Sequence, residues 1–517
     1  MKRMRRPRAL KALSLAACLC LLGGCTASIP VKDSNGSVTL PPPRGEYTAP
    51  LGDAGESFAQ TVMLCLPSAQ NRQLQMFPER ILLSHSRHPA DYTLRKLFSF
   101  TGTTAALPLT DKAQLSLSPG SAVETSGQTA TVNLAAGALA LDNKERYLVS
   151  RAIANTLTQW GDIRFVNVLV NGRQLGVDTA STLPLGSLTR TGNEDVNALW
   201  EAMNRQAAPG TGFGSVATLY FPAKAGRGVL AEAQAVNFTG NSLPQMALAL
   251  LQALSAGPQT LTNAAPLPDL VTLLSAEPEA VEQPGAAGRT LRLRFYEGAN
   301  EALISAGVPR SILMAALTFT LTTFLPYTTG IEVSIGAEQV NAVVPAGLYE
   351  GAGEEIIFER GVMQRSQFAH FLLDECSLYF PNAFGSLSRT SRAIPYYQTF
   401  NPRYLFNQLA LGPVNTDSVT GLSAAFPAPP RDADLLGISR QGDASLVNLS
   451  GNLRGLTAGL SAEREKLMVY ALVNTLSDQR GIRRVRFFID GKQEGTFAGS
   501  VDVAGEFLRN EGIIRQP

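Results

Sequence analysis

The tetrapeptide Leu-Tyr-Phe-Pro occurs twice in this chain of 517 residues, at Leu219–Pro222 and at Leu378–Pro381. A weaker copy, Leu-Cys-Leu-Pro, stands at Leu64–Pro67. The copies lie 155 and 159 residues apart, a domain-sized spacing that is far too long for a solenoid repeat. A second register agrees. Leu148–Arg190 aligns without gaps on Leu467–Arg509 at a constant offset of 319, placing Asn155-Thr156-Leu157 on Asn474-Thr475-Leu476, Gly172 on Gly491 and Arg190 on Arg509. Upstream, Val132-Asn133-Leu134 matches Val447-Asn448-Leu449. The middle copy is looser, with Leu291–Phe295 as its strand, Ile312–Leu325 as its helix, and Phe319 where its neighbours have asparagine. The chain therefore reads as one unit built three times.

Within a unit the periodicities alternate between strand and helix. In the third, Ser377–Phe380 reads as a strand and Pro402–Leu411 as a helix stopped by Gly412-Pro413. Leu435–Ser439 and Ser445–Leu449 read as short strands about a Gly442-Asp443 turn. The strongest helix is Glu463–Asp478, where Met468, Ala471, Leu472, Thr475 and Leu476 form a core-facing stripe. Val149, Ala152, Ile153, Thr156 and Leu157 repeat that stripe in the first copy, behind an Asp142–Glu145 capping box. The closing strand alternates strictly: Val485, Phe487, Ile489 in one copy and Val166, Val168, Val170 in the other. Asp490-Gly491 and Asn171-Gly172 then supply tight turns that accept positive φ. The expected unit is α+β, a small sheet with two helices packed on one face.

The N-terminus carries a different signal. Lys2, Arg3, Arg5, Arg6, Arg8 and Lys11 precede an apolar run, Ala12 to Leu22, that is too short to span a bilayer, and Leu22-Gly-Gly-Cys25 closes it. This resembles the lipobox of bacterial lipoproteins, which implies cleavage before Cys25 and a diacylglycerol on its sulfur. Two or more acyl chains give stable anchoring where one is marginal. The chain then works on the extracytoplasmic face of the cell membrane, held by its lipid; a plain secretory peptide or an uncleaved anchor is the alternative. Ile312–Leu325, the other apolar stretch, contains four threonines and is stopped by Pro326, so it reads as a buried helix. Hydrophobic content of 45% and charged content of 17% fit folded material, and a net charge of +2 suggests neither nucleic-acid binding nor a polybasic membrane patch. Beyond the leader only Cys65 and Cys376 remain; buried thiols are expected instead of a bridge.

The Leu-Tyr-Phe-Pro opening, the segment Ala471–Gly495 and the terminal Glu506–Ile514 together resemble the GerMN domain of spore germination and sporulation lipoproteins. The likeness is specific in the third copy, covers the second half of the first, and is inferred from position in the middle one. Proteins of that kind carry two such domains, so three is a departure. The resemblance implies a fold similar to ring-building motifs of envelope-crossing channels, no enzymatic activity and no cofactor. It also implies partners among envelope proteins or copies of the chain itself, in the assembly or positioning of a complex.

The expected organisation is a signal peptide over 1–24, a flexible linker over 25–55 and a first GerMN-like domain over 56–192. A bridging helix over 193–210, a degenerate second domain over 211–350, a second bridging helix over 351–375 and the third domain over 376–517 complete it. Catalytic motifs are missing: His85-Ser-Arg-His88 lacks the further ligands that zinc needs and reads as a surface loop. Gly-x-Ser-x-Gly is absent, and Gly210–Gly214 precedes a strand and reads as a linker, not as a phosphate loop. Asn155 and Asn474, mid-helix at matching positions, are either structural ties or contacts between packed subunits. Arg484 and Arg486 make the last strand basic; a solvated face is the default, and pairing with a partner is the alternative. Tyr396, Tyr397, Phe400, Tyr404 and Phe406 motivate a second reading, a lipoprotein that binds a glycan or peptide between units.

Overall fold

The computed structural model describes residues 31–32, 38–39, 47–53, 57–84, 87–178, 182–192, 195–205, 210–224, 227–282, 288–346, 353–479, 481–493 and 495–515. Cys25 and the leader lie outside the described residues.

In the first unit, strands β1 (Phe58–Pro67) and β2 (Leu74–Leu83) pair antiparallel, followed by helix α1 (Pro89–Phe98). Strand β3 (Glu124–Ser126) runs antiparallel to β4 (Thr129–Leu134); helix α2 (Asn143–Leu157) then crosses over to β5 (Phe165–Val170), which pairs parallel to β4. Parallel neighbours require such a crossover. Asp142 and Glu145 close a full capping box on α2, as the sequence predicts. Helix α3 (Val196–Arg205) leads onward.

The same order recurs. In the second unit β6 (Phe213–Pro222) and β7 (Val229–Phe238) form the hairpin and α4 (Leu243–Ala256) follows. Strand β8 (Glu279–Glu282) is antiparallel to β9 (Arg289–Phe295), and helix α5 (Arg310–Phe324) crosses over to β10 (Thr328–Ile335), parallel to β9. In the third, β11 (Leu373–Pro381) pairs with β12 (Leu387–Pro395), and α6 (Pro402–Leu411) follows with the predicted limits. Then β13 (Leu435–Gln441) pairs antiparallel with β14 (Ala444–Leu449), α7 (Ala462–Ser477) crosses over, and β15 (Arg484–Ile489) pairs parallel to β14; β16 (Glu506–Leu508) closes that sheet. The architecture is mixed α and β, small sheets with helices against them.

Four features differ from the sequence reading. The opening strand of each unit pairs with a second strand of its own and leaves the small sheet, so α7 contacts β11 as well as β15. In place of the bridging helix expected over 351–375 stand, among the described residues, two 3-10 turns, Glu359–Gly361 and Arg365–Phe371, around a short strand, Val362–Met363, that joins β10. His88 is buried, accepts the Ala90 N–H and meets Asp162, so it begins α1 and is no surface loop; His85 lies outside the described residues. Tyr47–Asp53, expected within a flexible linker, is docked on the third unit: the Gly52 N–H donates to the Leu436 carbonyl at 3.0 Å and Asn448 Nδ2 to the Pro50 carbonyl at 3.0 Å.

Helix α5 has every residue from Ser311 to Phe324 buried. Three of its four threonine hydroxyls find partners inside the protein: Thr322 donates to the Thr318 carbonyl, Thr323 accepts from Arg365, and Thr320 accepts from a strand amide, while the Thr318 hydroxyl is buried without one among the described residues. That satisfaction lets an apolar helix with threonines sit in a protein core. No single helix among the described residues is long and apolar enough to cross a membrane.

Candidate functional site at the junction of the three units

Each crossover helix carries a threonine that ties it to the opening strand of its own unit. Thr156 Oγ1 accepts the Cys65 N–H at 2.9 Å, Thr320 Oγ1 the Tyr220 N–H at 3.0 Å, and Thr475 Oγ1 the Tyr379 N–H at 3.3 Å. The donors are the second residues of the three tetrapeptides. A two-stranded ribbon leaves amides unpaired along its edges, and a buried one requires an acceptor.

One residue before that threonine the units diverge. Asn155 Nδ2 donates to Thr191 Oγ1 at 2.8 Å while Asn155 Oδ1 accepts the Thr191 N–H at 2.8 Å. Asn474 repeats this on Asn510, donating to its carbonyl at 3.2 Å and accepting its N–H at 2.9 Å. Thr191 and Asn510 are themselves 319 residues apart. Both asparagines are buried, their amides engaged within their own units.

In the middle unit Phe319 stacks on Tyr220, ring centroids 5.0 Å apart, and the Arg365 guanidinium lies 4.4 Å from the Phe319 centroid. Arg365 donates to Tyr220 Oη at 3.1 Å, to Thr323 Oγ1 at 2.7 Å and to Glu124 at 2.5 Å. Burial disfavours its charge, but Glu124 and Tyr220 outweigh that and hold the guanidinium protonated. One cation thus joins the first unit's β3, the second unit's core helix and the segment entering the third.

Beside it the three units surround a cavity of about 810 Å³. Gln128 and Arg164 come from the first unit, Glu232 from the second, and Asp374, Glu375 and Arg389 from the third. The Ser126 hydroxyl links all three: it donates to the Leu373 carbonyl at 2.5 Å and accepts the Ala231 N–H at 2.9 Å. Asp374 accepts the Gly127 N–H at 3.0 Å, and burial pushes its carboxyl up to about 6. Burial likewise raises Glu375, whose carboxyl accepts from Asn263 Nδ2. Cys376, on the wall, is free and buried, and its thiol is pushed up to about 12; buried Cys65 reaches about 11. Neither thiol is activated.

Arg484 pairs with Asp443 and with Glu506. Arg486, expected on a solvated face, points away from the core but is only 6% exposed, because Tyr47 lies over its guanidinium at 4.6 Å. The aromatic cluster of the third unit is dispersed: Phe406 is in the core, Phe400 meets His88 at 4.4 Å on the cavity wall, and Tyr397 is exposed. The junction is the part that sequence reasoning missed, since Ser126, Glu124 and Arg365 belong to no repeated motif.

The third unit matches a family profile described as Germane, sporulation and spore germination, over residues 377–495. Among solved structures the chain is similar to the tandem GerMN domains of the sporulation protein GerM from Bacillus subtilis, with 15% identity over 59% of this chain and 99% of that one, at a TM-score of 0.20. It is also similar to a protein designated a lipoprotein from Clostridium perfringens, with 19% identity over 26% of this chain and 88% of that one, at a TM-score of 0.19. Comparison with curated proteins finds no match. The matched segment contains β11 from Ser377 onward, α6, α7, β15 and the Thr475 tie.

Proposed function

We propose that the chain is a non-enzymatic lipoprotein, anchored by acylated Cys25 on the extracytoplasmic face of the membrane. Its three GerMN-type units, spanning about 56–192, 211–350 and 376–517, assemble or position a protein complex of the envelope in sporulation or germination. The observation that carries this reading is the threonine-to-tetrapeptide bond, present in the Germane segment and repeated in the other two units. The Gly-Gly-Cys25 leader supports the anchor. Anchored function requires acylation, so Cys25→Ser releases the protein from membranes and abolishes its co-purification with envelope partners after crosslinking in native cells. Retention of both in the variant would reject the reading.

A second reading rests on the cavity. At about 810 Å³ it lies within the size range of ligand sites, and its wall mixes carboxylates, arginines and the Phe400 ring. A soluble cell-wall glycan or peptide held there protects the protein against thermal unfolding, and Arg389→Ala removes the protection. A melt unchanged by such fragments excludes it.

A further inference from the structure

The outer faces of the first and third sheets are equivalent, residue by residue, and are covered by different things. Thr131 pairs with Asn167 across β4 and β5; Leu446 pairs with Arg486 across β14 and β15, at the equivalent rung. In the first unit this face is closed by the hairpin of the next unit. Asn167 Nδ2 donates to Thr218 Oγ1 of β6 at 2.9 Å, Ser187 Oγ meets the same hydroxyl at 2.8 Å, and the Ser187 N–H donates to the Val216 carbonyl at 2.8 Å. On the third sheet the equivalent face has a different cover. There the Tyr47–Asp53 strap takes the place of a hairpin: Tyr47 and Ala49 pack on Ala444, Leu446 and Phe488, and Tyr47 lies against Arg486. Asp53 pairs with Arg403 at 2.5 Å at the strap's end.

We infer that the strap is a removable plug on a docking face for a β-hairpin, and that the occupant it excludes is the opening hairpin, β1–β2, of a second copy of this chain. The hairpin that covers the first sheet has a free counterpart. By the tetrapeptide alignment Thr61 and Met63 stand where Val216 and Thr218 stand, and the rungs Ala59–Leu82 and Thr61–Arg80 are exposed, with Leu82 at 65%. A head-to-tail contact of this kind repeats the interface between units one and two across two molecules and does not close on itself at the dimer. Seven residues held by a few bonds make the plug, and they lie on the path from the N-terminus, so tension on that end acts directly on them. This inference does not depend on the envelope role proposed above.

The test is sedimentation velocity on the full chain in detergent. Tyr47→Ala combined with Asp53→Ala is expected to tighten self-association at least tenfold over the unaltered chain. Adding Thr61→Arg returns the double variant to monomers, and so does excess synthetic peptide with the sequence of Tyr47–Asp53. Asp53→Ala alone, a change at an exposed side chain, covers the case in which the double variant fails to fold; it is expected to give about a threefold effect in the same direction. A folded strap variant that stays monomeric, or association that survives both Thr61→Arg and the peptide, overturns the inference.

Discussion

The outer units and the middle unit solve the same position in opposite ways. Asn155 and Asn474 each tie a helix to the strand-end segment of their own unit, whereas Phe319 stacks on Tyr220 of its own opening strand and meets Arg365, which reaches Glu124 of the first unit. The asparagines hold a unit together; the phenylalanine supports an arginine that reaches another unit. In the middle copy the helix packs on the strands of its own unit and on the Arg365–Phe371 segment, and the asparagine tie is replaced by an aromatic stack. Divergence there marks a change of contact, not a loss of fold.

Arg365→Met breaks this contrast with the largest expected effect. It strands half-buried Glu124 and the buried Tyr220 hydroxyl, a loss of about 3 kcal/mol in denaturant unfolding. It should also uncouple the units, turning one transition into more than one. Asn155→Ala leaves the buried Thr191 N–H, and Asn474→Ala the half-buried Asn510 N–H, without an acceptor, at about 1–3 kcal/mol for the first and less for the second, with no change in coupling between units. An Arg365 variant that costs no more than these would erase the distinction.

The pH dependence sharpens it further. Folded protein keeps the Asp374 proton up to about pH 6, while an unfolded aspartate releases it near about 3.9. Between those values the folded state binds more protons, so this residue makes stability fall as pH rises. Asp374→Asn flattens that slope in urea titrations at successive pH values, and a slope that persists assigns it elsewhere. The smallest effect concerns the thiols: Cys65 and Cys376 should react with a thiol reagent only on unfolding, and rapid labelling of native protein would contradict their burial.

Much of the local structure was readable from the residues. The limits of α6, the capping box at Asp142 and the positive-φ turns at Asn171-Gly172 and Asp490-Gly491 follow from chemistry within a few positions of each residue. Strand β12 was missed because Leu387–Pro395 alternates serine, threonine and arginine, whose partners are distant. Arg392, for instance, is buried through Asp417, at 2.6 Å, and the Gln408 and Gly412 carbonyls. The same holds for the candidate site. Arg486 looks solvent-facing by alternation, and only Tyr47, over four hundred positions earlier in the chain, buries it. Ser126 and Arg365 sit in stretches with no periodic signal, and their roles exist only once three units meet.

Hydrogen exchange at three amides tests the central claim most directly. Cys65, Tyr220 and Tyr379 each donate to a helix threonine, so all three should exchange slowly, through cooperative opening of their own unit. Thr320→Val should speed exchange at Tyr220 and leave Cys65 and Tyr379 slow. A Tyr220 amide that exchanges at the rate of a surface loop in the unaltered protein would show that the middle segment is not a third copy of the unit.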